Sequence, residues 1–181
     1  MKLTVTESTP ILENVTLTIA EGGVVTVKGQ KGEITRTFYD PQVVISQKDG
    51  ELVVVAKDAT RREKKRLFTY IAHIKNMMQG VTRQHVYKVK VCSGHFPMNV
   101  TVNNNELSVK NFLGEKLPRT TKITEGVSVK FEDNILTLTG CDKEKVGQLA
   151  ASMEQLTRIT NRDRRIFQDG LYIIDKDGKE M

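Results

Sequence analysis

The amino-acid sequence predicts an α+β fold of two similar tandem modules, each an antiparallel sheet packed on one helix. In each half of the 181-residue chain, several short strand-like segments precede one helical segment. The pairs Val27-Lys28 and Gly32-Glu33 recur as Val109-Lys110 and Gly114-Glu115, at a constant offset of 82 residues. A repeated order of elements with repeated motifs indicates an internal duplication.

Alternating or β-branched residues predict five short strands in the first half. Their ranges are 15–19, 24–27, 35–38, 43–46 and 52–56. Asp49-Gly50, between the last two, is typical of a tight hairpin turn that needs positive φ. Asp58 is the expected N-cap of a helix that begins at Ala59. Gly80 is the expected stop signal of this helix, because glycine often follows the last helical residue. One apolar face of this helix contains Leu67, Ile71, Ile74 and Met78.

The second half repeats this order. Strands are predicted near 87–91, 99–102, 107–110, 127–131 and 135–139. Asp142 is the expected N-cap of the second helix. The helix has an apolar stripe that consists of Val146, Leu149, Ala150, Met153 and Leu156. This stripe predicts that the helix packs against a sheet, and a partner-binding groove is the alternative. The predicted organisation is a first module at 1–82, a second module at 83–160 and a C-terminal tail at 161–181.

The net charge of +6 and the pI near 9.3 favour a polyanionic partner. The segments 1–80 and 81–160 each carry three net positive charges, whereas 161–181 is neutral. No apolar run reaches the roughly 18 residues of a membrane span, and residues 1–10 do not resemble a secretory signal. Cys92 and Cys141 form no Cys-x-x-Cys motif, so a reducing cytosol is the expected location.

Few residues suggest catalysis. Cys92, Ser93 and His95 are close in sequence, but a catalytic dyad needs partners brought together across a fold and a third group that orients them. His73 lies in the middle of the first predicted helix and His85 in the expected link between modules, without metal-ligand spacing. We therefore expect no enzymatic activity, no metal, no cofactor and no small-molecule substrate.

Basic loops are the candidate functional features. Residues 28–33 place two glycines and two lysines between strands, which suits a phosphate contact or a plain hairpin turn. Residues 61–66 contain five cations at a helix N-terminus, where the helix dipole disfavours them. RNA phosphate, an acidic protein neighbour or a solvated face would explain that cluster. Residues 109–122 combine four cations with Phe112, which is expected to be exposed.

Several motifs resemble one family. Asn-Phe-Leu-Gly-Glu-Lys at 111–116, His95-Phe96-Pro97, Val81-Thr82 and the segment 162–172 are similar to the large-subunit ribosomal proteins called L-six in the universal naming and L-nine in eukaryotes. The loop at 28–32 also resembles this family, although Gln30 stands where proline is usual. The tail resembles the archaeal and eukaryotic branch, so a eukaryotic cytosolic ribosome is the first expectation and an archaeal ribosome the second.

The resemblance implies a structural protein of the large ribosomal subunit, in the cytoplasm, that supports translation. It would bind large-subunit ribosomal RNA near the sarcin-ricin region and the stalk base, beside neighbouring ribosomal proteins. The matching positions imply these RNA-binding residues, each with a solvent-facing charge or amide as the alternative: Lys28, Lys31, Lys110, Asn111, Lys116, Arg119, Arg162, Arg164 and Arg165. The rival hypotheses are an enzyme or a free nucleic-acid-binding regulator on the same scaffold.

The tail carries a further expectation. Its arginines come first and its acidic residues later, so the arginines are expected to bind phosphate while the acidic end stays in solvent or meets a basic neighbour. Because the segment is polar, we expect 161–181 to be flexible in the free protein and ordered on RNA, with Phe167 or Tyr172 anchored against the second module or a base.

Overall fold

The computed structural model describes residues 3–48, 50–103 and 105–181, and the chain divides into two units between Gln84 and His85. The sequence placed the boundary two residues earlier, after residue 82. The first helix continues to Arg83, which moves the division. Residues 161–181, expected to form a separate tail, belong to the second unit.

The first unit contains two three-stranded antiparallel sheets and one helix. One sheet has the order β1-β6-β5 and the other β2-β3-β4. The elements are β1 (Leu3–Pro10), β2 (Thr16–Ala20), β3 (Val24–Gly29), β4 (Gly32–Thr37), β5 (Val43–Lys48), β6 (Glu51–Ala59) and α1 (Arg61–Arg83). All five predicted strands are present, and β1 is an additional one. Asp49 lies outside the described residues, but Gly50 has the positive φ expected of the turn, +80°.

Helix α1 begins and ends at residues other than those expected. Thr60, not Asp58, is the N-cap: its hydroxyl accepts from the Arg62 N–H at 3.3 Å, and Glu63 Oε2 accepts from the Thr60 N–H at 2.9 Å. The Thr60 side chain also accepts from the Glu63 N–H, and this reciprocal pair of Thr60 and Glu63 is a capping box. The Thr60 hydroxyl and N–H lower the pKa of Glu63. Asp58 instead lies in β6 with φ of +49°.

Gly80 lies inside α1, not after it. The helix continues because the next residue, Val81, is fully buried in the core of the first unit. The Val81 carbonyl also accepts from the Lys31 N–H at 2.9 Å. The helix ends at Arg83 and is followed by Gln84, which has a φ of +56°. The predicted apolar face is confirmed, since its four residues are all buried: Leu67, Ile71, Ile74 and Met78.

The second unit contains a three-stranded and a five-stranded antiparallel sheet. Their orders are β10-β9-β8 and β11-β12-β7-β13-β14. The elements are β7 (His85–Cys92), β8 (Asn99–Asn103), β9 (Glu106–Lys110), β10 (Arg119–Lys122), β11 (Val127–Glu132), β12 (Ile135–Gly140), α2 (Lys143–Leu156), β13 (Gly170–Lys176) and β14 (Lys179–Glu180). His85 was expected in a link, but it is fully buried at the start of β7.

The two units repeat one strand order, which confirms the predicted duplication. The sheet β2-β3-β4 corresponds to β8-β9-β10, and β1-β6-β5 corresponds to β7-β12-β11. Val27 and Val109 lie in the two central strands β3 and β9, as their constant offset predicts. The predicted α+β class with two similar tandem modules is confirmed, and each unit contains two antiparallel sheets where one was expected. Alternation along a strand identifies its buried face but not the strand with which it pairs.

Helix α2 matches its prediction. The Asp142 carboxylate accepts from the Glu144 N–H at 2.9 Å, so Asp142 is the N-cap. Leu156 of the apolar stripe is half-buried. The other four residues of the stripe are buried: Val146, Leu149, Ala150 and Met153. These residues pack in the core of the second unit with strands β7 and β12. The stripe therefore covers a sheet, as expected.

Strand β13 contradicts the prediction of a flexible tail. It pairs antiparallel with β7, with Leu171 opposite Val91. Leu171 is 1% exposed in the core, and its N–H donates to Thr157 Oγ1 at 2.8 Å. Without β13, the backbone of β7 would face solvent on one side, so pairing satisfies both strands. A short apolar segment flanked by charges thus forms part of the five-stranded sheet of the second unit.

Candidate nucleic-acid interface

The loop between β9 and β10 folds into a short 3-10 turn, Phe112–Gly114. Asn111, one of the predicted RNA-binding residues, has a left-handed backbone with φ of +59°, and its Nδ2 donates to the Pro97 carbonyl at 3.0 Å. This turn points Phe112 into the core, where it is 1% exposed. The prediction that Phe112 is exposed is therefore wrong, because burial of the ring in the core outweighs the polar character of the loop.

Arg119 closes this loop from inside the unit. Its Nε and Nη2 donate to the two carboxylate oxygens of Glu115 at 2.8 and 2.6 Å, and its Nη1 donates to the Leu156 carbonyl at 2.7 Å. The guanidinium also lies 4.4 Å from the centre of the Phe112 ring. These bonds lower the pKa of Glu115. Arg119 was predicted to contact RNA, but in this structure it joins the loop to the end of α2.

The lysines of the same loop point to solvent. Lys110 ends β9 and Lys116 follows the 3-10 turn, and both are exposed. Neither lysine forms an ion pair with any residue in 3–48, 50–103 or 105–181. Leu117, beside Lys116, is 81% exposed. Exposed cations of this kind are available for phosphate.

Asp169 joins the C-terminal segment to the loop that follows β7. Its Oδ1 accepts from the N–H groups of Gly94 and His95, the second at 3.1 Å, and its Oδ2 lies 2.7 Å from His95 Nδ1. The residue is 1% exposed. Burial alone would raise the pKa of Asp169, but these hydrogen bonds outweigh it and lower that pKa. These hydrogen bonds hold the loop that follows β7 in place.

A stack of three side chains continues from this loop toward solvent. The Phe167 ring stacks on His95 with 4.7 Å between ring centres, and the Arg162 guanidinium lies 4.9 Å from the Phe167 ring centre. Phe167 packs against the core of the second unit. This was one of the two anchoring positions expected for the tail. Arg162 itself is exposed. The stack orders the arginine-rich segment on the unit to which it belongs.

The two remaining predicted arginines, Arg164 and Arg165, differ in whether they form an ion pair. Arg165 forms a bidentate pair with Asp163, with Nη2 to Oδ2 at 2.7 Å and Nε to Oδ1 at 3.1 Å. This pairing lowers the pKa of Asp163 and raises that of Arg165. Arg164 is exposed and has no ion-pair partner in the described part of the chain. It is therefore the more available cation of the two.

Two open grooves meet at Arg164 and Tyr172. The larger, of about 840 Å³, lies between residues 92–95 and 164–168, and the smaller, of about 230 Å³, lies against the end of α2. Arg158, which the sequence did not single out, lines the smaller groove and is exposed. In the sequence, Arg158 is the first of four closely spaced arginines, with Arg162, Arg164 and Arg165. This cluster is the signal that could have identified it.

The exposed cations on these connected segments of the second unit are here called the basic face. Five exposed cations define it: Lys110, Lys116, Arg158, Arg162 and Arg164. The segment of Lys110 and Lys116 and the segment of the three arginines both contact the loop after β7, through Asn111 and Pro97 and through Asp169 and His95. They also contact each other through Arg119 and Leu156. Three acidic residues of the same segments, Glu115, Asp163 and Asp169, are each bonded to a basic or histidine side chain. Glu154 is exposed beside Arg158 in the smaller groove, so these segments present five cations together with this carboxylate.

Lys28 and Lys31, the predicted first-module contacts, lie on the hairpin between β3 and β4. Gly29 pairs with Gly32, so Gln30 and Lys31 form a two-residue turn. Lys28 Nζ lies 3.1 Å from Glu33 Oε2. Gly29 packs against Val81, where an added Cβ would lie 2.7 Å from a side-chain carbon. The glycine thus allows close packing of the hairpin on α1, and both lysine side chains are exposed.

Other kinds of site find little support. No group of three or more potential metal ligands occurs within the described ranges. Cys92 and Cys141 form no disulfide bond with each other. No helix in these ranges is long and apolar enough to cross a membrane. His95 and Asp169 form a bonded pair beside Cys92 and Ser93, but their hydrogen bonds hold a loop in place, which accounts for the pair structurally.

Comparison with known proteins defines the class. The family model described as "Ribosomal protein L6" matches residues 11–84 and 96–170, which correspond to the two units. The chain therefore belongs to the ribosomal protein L6 family, a family of structural proteins and not a class of enzymes. It is 42% identical over 166 residues to "Large ribosomal subunit protein uL6" of the archaeon Methanosarcina mazei, and this match covers 92% of the chain and 94% of that protein. The resemblance inferred from the motifs is confirmed.

Proposed function

We propose that this protein is a structural constituent of the large ribosomal subunit that binds ribosomal RNA through the basic face of its second unit. One observation carries the RNA-binding site: five exposed cations lie on connected segments in which three carboxylates, those of Glu115, Asp163 and Asp169, are bonded within the protein. Phosphate contacts by lysine and arginine supply most of the affinity of such proteins and fix their orientation.

The proposed location in the subunit is near the sarcin-ricin region and the stalk base, beside neighbouring ribosomal proteins. This location follows the family resemblance of residues 111–116 and 162–172. Among the residues first predicted, the proposal keeps Lys110, Lys116, Arg162 and Arg164 as direct phosphate contacts. It assigns Arg119 and Asn111 to holding the loop in place, because their donors are bonded within the protein.

Sedimentation tests the proposal. The tagged protein is expressed in its source cells, and the lysate is separated on a sucrose gradient. We expect the intact protein to migrate with large subunits and ribosomes. The double variant Arg158→Glu/Arg164→Glu should shift to the top of the gradient, because it places two negative charges against phosphate.

Lys130→Glu is the matched control. Lys130 is exposed on β11 of the same unit but lines neither groove. The Lys130→Glu variant should sediment like the wild-type protein. A wild-type protein found only in a free pool would favour the rival hypothesis, a regulator that acts outside the ribosome. A double variant that sediments like the wild type would reject the basic face as the binding site.

A further inference from the structure

We propose that the larger groove of the second unit holds one unpaired nucleotide of RNA. The groove lies between residues 92–95 and 164–168, with Tyr172 in its lining, and has a volume of about 840 Å³. Small-molecule sites in proteins have volumes of about 300–1,000 Å³, so a single nucleotide fits this space. This inference rests on the proposed RNA-binding function and adds which RNA feature the protein recognises.

One wall of the groove is rigid before any RNA binds. The N–H groups of Gly94 and His95 both donate to Oδ1 of Asp169, which is buried. The His95 ring is held by Asp169 Oδ2 on one side and by stacking on Phe167. A binding site that is already ordered loses less conformational entropy when its ligand binds.

The lining offers an apolar surface suited to a base. Tyr172 is half-buried in β13 and Ile166 is 63% exposed, and both line the groove. Burial raises the pKa of Tyr172, so its hydroxyl stays neutral at physiological pH. Nucleic-acid bases stack on aromatic side chains largely without regard to base identity.

The charges at the rim suit a phosphate next to that base. Arg164 lines the groove and has no ion-pair partner in the ranges that the structure describes. Asp163 is bonded to Arg165 and Asp169 to His95, whereas Glu154 lines the smaller groove together with Arg164. Ser93 and Gln168 add a hydroxyl and an amide at the same groove. Together the lining therefore offers a stacking surface, donors for a base edge and a cation for phosphate.

The concave shape distinguishes an unpaired nucleotide from a duplex. In a paired helix the base faces are stacked inside, and only groove edges and phosphates are accessible. A duplex can therefore contact the basic face but cannot place a base against Tyr172. A bulged or loop nucleotide can do both, so the groove should make the protein prefer RNA that contains one.

Two RNA hairpins test this inference. They have the same stem, and one carries a single bulged 2-aminopurine nucleotide, whose fluorescence falls when it stacks. We expect the full chain to bind the bulged hairpin roughly five- to one-hundred-fold more tightly, with quenching of the fluorophore, as base stacking on aromatic side chains contributes. Tyr172→Leu and Gln168→Ala should reduce this preference and leave the affinity for the paired hairpin unchanged.

The controls separate the possible failures. Tyr39→Leu changes a tyrosine of the first unit that is 78% exposed, and it should keep the preference. Gln168 is exposed, so its variant decides the result if Tyr172→Leu does not fold. Equal binding of both hairpins, or a preference that survives in both groove variants, would overturn the groove assignment while leaving RNA binding intact. Binding to neither hairpin would overturn this inference together with the RNA-binding proposal.

Discussion

Asp169 and His95 are 74 residues apart in sequence, and Asp169 Oδ2 lies 2.7 Å from His95 Nδ1. The contact joins the segment before β13 to the loop after β7, at the end of the sheet where these two strands pair. The same carboxylate accepts two backbone N–H groups of that loop. One buried side chain thus fixes the geometry of two segments of the basic face.

We predict that Asp169→Asn destabilises the second unit. The amide keeps the shape of the side chain but loses the charge and one acceptor oxygen, which should cost about 1–3 kcal/mol of unfolding free energy. Urea denaturation measures the change. Asp163→Asn is the comparison, because Asp163 is exposed and should alter stability little. Equal effects of the two substitutions would show that the buried contact has no special role.

The pH dependence of stability gives a second prediction. The pKa of Asp169 is lowered from its ordinary value of 3.8, so its charged form is favoured in the folded state. Its contribution should be complete above that ordinary value and be lost as the pH falls through the lowered folded-state pKa. The difference in unfolding free energy between wild type and Asp169→Asn should therefore be larger at about pH 6 than at about pH 3. A difference that grows toward low pH would contradict this assignment.

Arg119 and Lys116 should separate stability from binding. Arg119→Ala removes the bond to Leu156 and the contact with Phe112, and should cost about 1–3 kcal/mol of unfolding free energy. Lys116→Ala should change stability by less than about 0.5 kcal/mol, because the side chain is exposed. Only Lys116→Ala should weaken RNA binding without loss of stability. Thermal unfolding and an RNA-binding assay on both variants test this, and a destabilised Lys116→Ala protein would contradict it.

Strand β13 leads to a prediction opposite to the one that the sequence suggested. Deleting residues 161–181 removes the pairing partner of β7 and the buried Leu171, so the second unit should lose most of its stability. Leu171→Ala alone should cost about 2–5 kcal/mol. Calorimetry of the full-length and truncated chains measures the effect. Unchanged thermal unfolding after truncation would restore the flexible-tail interpretation.

The sequence predicted the elements that depend on local pattern. Alternation located the strands, and the Asp142 cap and the apolar stripe of α2 were right because each depends on residues within a few positions. The constant offset of Val27 and Val109 revealed the duplication. It could not reveal that each unit has two sheets, since strand pairing is a contact between distant segments.

The errors at the candidate site have the same cause. Phe112 was expected to be exposed because its neighbours are polar, yet its position depends on the turn and on the core beneath it. Arg119 was expected to bind RNA, but Glu115 and Leu156 use its donors. Asp58 was expected to cap α1, but the bonds between Thr60 and Glu63 make Thr60 the cap. The bond between Asp169 and His95 could not be inferred from either segment alone.

The salt dependence of binding tests the central claim most directly. The affinity of the protein for its large-subunit ribosomal RNA is measured over a series of salt concentrations, for the wild type, Arg164→Ala and the control Lys130→Ala. The proposal predicts a steep log–log decrease in the wild type, with a slope smaller by about 0.7–0.9 in Arg164→Ala and unchanged in Lys130→Ala. An affinity that hardly changes with salt, or equal slopes in all three proteins, would contradict phosphate binding by the basic face.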